Sequence, residues 1–149
     1  MIYWIFGRSG TGKTTIGKLL AKKIKAIFLD SEDLRNIFTN LGYSKVDRWE
    51  NNFKAYSLAE LINNQGFDVV IAIMTPFETF REVYLYDKLK IKTIYLKCPK
   101  TICQARKPET YKKFPLDIFE EPKKFDIMID TSKYKPEEAI NIILKKLQK

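Results

Sequence analysis

A chain of 149 residues with 45% hydrophobic content has enough material for one domain with its own core and too little for two. It contains no histidine, which excludes Ser-His-Asp and Cys-His chemistry and most zinc sites, and leaves acid–base work to carboxylates, lysine or tyrosine. Lys and Arg outnumber Asp and Glu by 27 to 18, a net charge of +9 that draws small polyanions; with no basic run interleaved with aromatics, nucleic acid is the less favoured partner.

The elements alternate along the chain. Ile2 to Phe6 is a short apolar run of the length of a buried strand. Gly7-Arg8-Ser9-Gly10-Thr11-Gly12-Lys13-Thr14 follows, and after Thr14 an apolar stripe of Ile16, Leu19, Leu20 and Ile24 predicts a helix. Ala26 to Leu29 reads as the second strand. Ser31 to Asn40 reads as a short helix with Ser31 as its N-cap, and Val46 to Asn64 as a longer one beyond the break at Gly42. Asp68 to Met74 is the most apolar run and is expected centrally in the sheet. Pro76 is expected to open a helix to about Leu89. Ile91 to Lys97 is the fourth strand and Pro99 opens a helix to about Arg106. Residues 107–122 hold three prolines, several charges and Tyr111, Phe114 and Phe119, and read as a mobile cover. Phe125 to Ile129 is the fifth strand and Pro136 opens the last helix. This alternation predicts an α/β fold, a five-stranded parallel sheet with helices on both faces in a single domain spanning 1–149, and the Gly-x-x-x-x-Gly-Lys-Thr pattern of residues 7–14 between its first strand and first helix makes it a three-layer P-loop NTPase fold. No apolar run approaches a membrane span, Cys98 and Cys103 make no disulfide framework, and a strand starting at Ile2 leaves no room for a signal peptide, so a cytoplasmic protein is expected.

The glycine-rich stretch carries the first chemistry. A Gly, four residues and Gly-Lys-Thr between a strand and a helix place backbone N–H groups and a helix N-terminus around phosphate oxygens. Gly7, Gly10 and Gly12 let the backbone approach an anion, with Arg8, Ser9 and Thr11 completing the cradle. Lys13 is placed for the β- and γ-phosphates, the Thr14 hydroxyl for Mg²⁺, and Thr15 for the α-phosphate. A plain connecting turn is the weaker explanation, because pattern and flanks agree. Binding of a nucleoside triphosphate with Mg²⁺ follows; the use made of the triphosphate is left open by the loop alone.

Such loops serve switches, motors and kinases. The chain lacks the Asn-Lys-x-Asp and Asp-x-x-Gly of a switch, and is short for a motor. A small kinase needs a second substrate site and a cover that excludes water. The second strand, expected beside the P-loop strand, ends in Asp30-Ser31-Glu32-Asp33-Leu34-Arg35. Carboxylates there can orient a metal-bound water or take a proton from an acceptor hydroxyl. Asp30, Glu32 and Lys13 are the catalytic candidates; Asp33 is as well explained by charge pairing at a helix N-terminus. Arg35 lies one turn beyond Glu32 and shares its face.

From here the chain resembles the adenylylsulfate (APS) kinases, over about residues 2 to 140. The resemblance is carried by the glycine loop, by Leu29 to Arg35, by Leu41-Gly42-Tyr43-Ser44, by Asp47-Arg48-Trp49-Glu50-Asn51, by Thr75-Pro76-Phe77 with Arg81, by Cys98-Pro99 to Cys103 and Arg106 with Tyr111-Lys112-Lys113, and by Asp130-Thr131 with Pro136-Glu137-Glu138. It implies transfer of the γ-phosphoryl of MgATP to the 3′-hydroxyl of the acceptor ribose. It puts Asp30 and Glu32 near that hydroxyl and Mg²⁺, Arg35, Arg48 and Asn51 on the acceptor's phosphosulfate, Tyr43 against its base, Thr75 in a backbone-side contact, Arg106 near ATP and Lys112 and Lys113 in the lid. The partner implied is a small anionic nucleotide, and a homodimer is compatible with the family.

The chain departs from the family pattern in four places. Ser31-Glu32 replaces a Gly-Asp. Tyr43 replaces a Phe. Glu78 stands where the family carries a basic residue. The lid is shortened between Lys113 and Asp117, removing the family's second base-stacking Phe and leaving Phe114 or Phe119 as replacement. A trimmed lid is where the acceptor's base and 5′ group would change, so cytidine diphosphoramidate stands beside APS as the acceptor. A polynucleotide kinase and a regulatory nucleotide-binding domain with weak turnover are the readings from other classes.

Overall fold

The first strand divides the core. β1 (Ile2–Phe6) alternates its side chains, sending Ile2, Trp4 and Phe6 into one buried cluster and Ile5 into another. The computed structural model, which describes residues 1–149, places β1 third of five parallel strands in the order β2 (Ile27–Asp30), β3 (Val69–Ala72), β1, β4 (Ile91–Lys97), β5 (Ile127–Asp130). α1 (Lys13–Ile24) and α7 (Pro136–Leu147) cover one face, where Ile16, Leu20, Ile140 and Ile143 pack with Ile5, Val70 and Ile94. α3 (Lys45–Asn64) and α4 (Glu78–Tyr84) cover the other, where Ala55, Ala59 and Phe80 pack with Trp4, Phe6 and Ile71. The three-layer arrangement expected from the alternation is the one found.

Three shorter helices, α2 (Ser31–Ile37), α5 (Lys100–Arg106) and α6 (Pro108–Lys113), follow the carboxyl ends of β2 and β4. No helix is long and apolar enough to cross a membrane.

Several local expectations change. β2 is an edge strand and not the neighbour of β1, because β3, buried at every position, lies between them. Asp30, not Ser31, holds the N-cap position of α2, and it makes no side-chain capping bond. The capped helix is α3: the Ser44 hydroxyl accepts from the Asp47 amide while the Asp47 carboxylate accepts from the Ser44 amide. α4 begins at Glu78 rather than Pro76, and ends at Tyr84 rather than near Leu89; Asp87, at φ 59°, turns the chain into β4. Residues 107–122 contain α6, and their second half is fastened to the body rather than loose: the Glu120 amide donates to the Pro76 carbonyl at 2.9 Å, and Phe119 is buried.

Candidate active site

Because the strands run parallel, the segments that follow β1, β2, β3 and β4 leave the sheet at one edge and meet around a cleft of about 440 Å³. On one side lies the glycine loop. Gly10 adopts φ 90°, and a Cβ there would sit 2.8 Å from the Cys103 carbonyl oxygen, so the position admits glycine alone. Gly12, at φ 94°, turns the chain into α1. The Thr11 hydroxyl donates to the Arg8 carbonyl at 2.9 Å. Lys13 Nζ donates to the Gly7 and Arg8 carbonyls at 2.9 and 2.7 Å. Burial pushes the Lys13 amine down to about 8; Cys103 and Asp30 oppose that shift and Lys107 adds to it.

The Thr14 hydroxyl donates to Asp30 Oδ1 at 3.0 Å. Asp30 thus reaches the loop although its strand is two places away from β1. Burial raises the Asp30 carboxyl above its usual value, with Glu32 and Asp33 pushing the same way, while the Thr14 hydroxyl and the Ser31 amide pull it down. A hydroxyl and a carboxylate oxygen beside an anion cradle fit a hard cation such as Mg²⁺, which takes few protein ligands and keeps water and phosphate oxygens.

The loop is braced from the far side. Arg106 donates to the Gly10 carbonyl at 3.1 Å and to the Thr131 carbonyl at 3.0 Å, and the Tyr111 hydroxyl to the Ser9 carbonyl at 2.7 Å. The Arg8 side chain turns to the cover instead of the cradle, pairing with Asp117 at 3.1 Å and Glu121 at 2.9 Å. Burial works against the Arg8 charge, but those two carboxylates outweigh it and hold the guanidinium above its ordinary value.

The opposite side is cationic and aromatic. Tyr43 and Phe114 touch, with ring centroids 4.7 Å apart. Arg35 lies over the Tyr43 ring at 4.1 Å, Arg48 over Phe114 at 5.3 Å, and Lys113 within 5.6 Å of both rings. Arg35 also donates to the Gly42 carbonyl and Arg48 to the Tyr43 carbonyl, so the residue 41–44 turn is wrapped by both guanidinium groups. Burial, and then Arg35, lower the Arg48 guanidinium, with Tyr43 opposing.

Behind the cover sits a buried ion pair. Arg81, fully buried, donates to Glu78 at 3.0 Å, to the Thr75 carbonyl at 3.0 Å and to the Glu120 carbonyl at 2.7 Å. Glu78 also accepts from the Tyr86 hydroxyl at 2.6 Å and the Lys123 amide at 3.1 Å. Burial pushes the Glu78 carboxyl up, but Tyr86, Lys123 and Arg81 together bring it below the usual glutamate range. This pair clamps residues 119–123 to α4.

The structure therefore brings Arg8, Ser9, Lys13, Glu32, Arg35, Tyr43, Arg48 and Asn51 to one cleft, with Thr14 and Asp30 in contact beside it. Asp33 is exposed and outside the lining, as its helix-terminus explanation requires. Thr75 is completely buried: its hydroxyl is held between the Trp4 indole N–H and the Ile73 carbonyl, and Pro76 lines the cleft in its place. Phe114 meets Tyr43, whereas Phe119 packs beneath Arg8 and Arg81 and against Tyr95, which separates the two candidate rings. Sequence reasoning missed Asn52, the Arg8 pairs to the cover and the Glu78–Arg81 clamp. The departure at Glu78 was the one visible signal for the last of these.

A family model described as Adenylylsulphate kinase matches residues 1–130 of the chain. The adenylyl-sulfate kinase of Bacillus velezensis is 33% identical to it, over 93% of this chain and 80% of that protein. The cytidine diphosphoramidate kinase of Campylobacter jejuni is 30% identical, over 98% of this chain and 95% of that protein. The structure of the Mycobacterium tuberculosis APS kinase in complex with AMPPNP and APS shares the fold, with a TM-score of 0.85 and 22% identity over 99% of this chain and 97% of that one.

Proposed function

The chain belongs to the adenylylsulphate kinase family and is a kinase, a phosphotransferase acting on an alcohol group; we propose that it moves the γ-phosphoryl of MgATP to the ribose 3′-hydroxyl of a small nucleotide with an anionic 5′ group, adenylylsulfate or a close analogue. The contact between Thr14 and Asp30 carries this reading, because it joins a phosphate cradle to a buried carboxylate at the rim of a second, cationic site.

In this reading Lys13 leaves its two loop carbonyls for the phosphates, since a charged acceptor outcompetes a neutral one. The Thr14 hydroxyl would hold Mg²⁺, with Asp30 beside it facing the ion's water shell; when bound, the ion supplies charge neutralisation on the phosphates. Arg35 and Arg48 bind the 5′ group and fix the ribose in line. Asp30, whose carboxyl burial pushes upward, receives the proton of the acceptor hydroxyl; Glu32, exposed at the cleft, tunes Asp30 through its charge. Residues 107–122 exclude water.

The aromatic mouth favours keeping a second acceptor open. Tyr43 and Phe114 are already in contact, so a base enters by parting them, and stacking accepts any base. That suits cytidine diphosphoramidate as well as adenylylsulfate. The test is to incubate the protein with MgATP and a panel of adenylylsulfate, cytidine diphosphoramidate, plain nucleotides and a DNA or RNA 5′-end, and to follow ADP release and the position of the new phosphate. ADP release with a small nucleotide and a 3′-phosphate product is expected. Turnover confined to nucleic acid ends would sink the proposal.

A further inference from the structure

We infer that Asn52 is a specificity-determining residue for the acceptor: its side-chain carbonyl oxygen receives an N–H or O–H of the nucleotide bound in the cleft. This rests on the kinase reading above. The face that α3 turns inward is Asn51, Asn52, Ala55 and Ala59. Asn52 is 3% exposed, yet it lines the cleft alongside Ile73 and Met74. A buried amide in that place must have its donor and its acceptor satisfied.

Half of Asn52 is satisfied. Its amide nitrogen donates to the Arg48 carbonyl at 2.8 Å, one turn back along α3. That bond fixes the orientation of the group, because the opposite orientation would set two carbonyl oxygens against each other. Oδ1 is then left buried and with no partner in the protein. Asn51 Oδ1, its neighbour, is in the same condition. Both residues line the cleft, and an unpaired acceptor in a substrate wall calls for a donor from the substrate.

The surrounding groups narrow the donor. Arg35, Arg48 and Lys113 line the same cleft with N–H groups to offer an anion, so an anion needs nothing from Asn52, and its oxygens are repelled by a carbonyl oxygen. A sulfate end carries no hydrogen at neutral pH. With the base and its amine stacked at Tyr43 and Phe114 and the 3′-hydroxyl aimed at Asp30, the donors left for Asn52 are the amide nitrogen of a phosphoramidate 5′ group and the ribose 2′-hydroxyl. Asn52 thus gives the cleft a polarity that the cations alone lack: it rewards an acceptor with a hydrogen to donate.

The experiment compares wild-type, Asn52→Leu and Asn52→Ala proteins by ADP release. The acceptors are adenylylsulfate, cytidine diphosphoramidate and the 2′-deoxy form of each. The expected result is a loss of about tenfold in kcat/KM for the acceptor that supplies the donor, with KM for ATP unchanged. A loss confined to the phosphoramidates assigns the donor to the amide nitrogen. A loss on both ribonucleotides that disappears with the deoxy forms assigns it to the 2′-hydroxyl. The thermal midpoint of Asn52→Leu should equal or exceed that of wild type, since an apolar group replaces an unpartnered acceptor; a residue that only braces Arg48 would lower it. Equal losses on every acceptor, or none on any, overturn the inference while the kinase reading stands. A wild-type protein silent with all four acceptors sinks that reading, and the role of Asn52 with it.

Discussion

The two halves of the cleft keep their cations in different ways. In the donor half, Lys13 rests on the carbonyls of its own loop, within six residues of itself. In the acceptor half, Arg35, Arg48 and Lys113 rest on two aromatic rings that come from 71 positions apart, Tyr43 and Phe114. Both arrangements are exchangeable, because a phosphate displaces a neutral carbonyl and a nucleotide base displaces a cation from a ring face. They differ in what must move. The glycine loop needs one side chain to turn, while the acceptor half needs two rings to part. On the proposed reading, the first half suits one chemical group, polyphosphate, and the second tolerates variation in what it admits.

Disrupting the junction of the halves should have the largest effect. Asp30→Asn keeps the shape and can still accept from Thr14, but cannot take a proton. It is expected to lower kcat by roughly 10²–10⁴-fold and leave ATP affinity within a few-fold. Stopped-flow turnover with nucleotide binding by titration checks this; unchanged turnover would remove Asp30 from the chemistry.

The next effect falls on stability. Glu78→Ala leaves the Arg81 guanidinium fully buried with its carboxylate removed and frees the Lys123 amide. Breaking one partner from such a pair costs about 3–5 kcal/mol. In a chain of this size that lowers the thermal midpoint by about 10 °C. Glu78 titrates below the usual glutamate range in the folded protein, so its stabilisation is whole above that range and is lost as the pH falls through the folded value. The gap between wild type and variant should close in acid. A constant gap would mean that packing, not charge, is what Glu78 provides.

Arg48→Ala addresses the acceptor half alone. Its guanidinium stands over Phe114 and wraps the Tyr43 turn, far from Lys13 in the chain and in partner. The acceptor KM should rise about ten- to a hundredfold, with KM for ATP unaltered. A variant whose ATP binding fails while acceptor binding survives would reverse the two halves.

The same contrast governs what could be read from the letters. The donor half was legible because its parts are adjacent: glycine spacing, lysine, threonine and the flanking strand and helix all sit in one stretch. Asp30 was legible from its place at a strand end, even though the strand order was misjudged, because all parallel strands deliver their carboxyl ends to one edge. That Phe114 and not Phe119 meets Tyr43 was not legible, since it depends on the Glu78–Arg81 clamp drawing residues 119–123 onto α4. Nor was Asn52, because on a helix it is one polar letter among several until the sheet decides which face is buried. Local motifs survive without tertiary knowledge; partners 39 or more positions apart, such as Arg81 and Glu120, do not.

The pH profile offers the finest probe of the donor half. Burial holds the Lys13 amine at about 8 in the free protein, so above that pH the group is neutral and the cradle has lost its cation. The free-enzyme parameter kcat/KM for ATP should fall about tenfold between pH 7 and pH 9. Bound phosphate holds the proton on Lys13, so kcat should stay level over the same span. The stability linkage runs the other way. A lysine whose folded value lies below its unfolded one carries fewer protons when folded, so its cost is present below about pH 8 and fades as the pH climbs toward the ordinary lysine value. The thermal midpoint of wild type relative to Lys13→Met should therefore rise with pH while ATP capture declines. The two curves must cross in opposite senses if one amine causes both, and parallel curves would assign the activity limb to some other group.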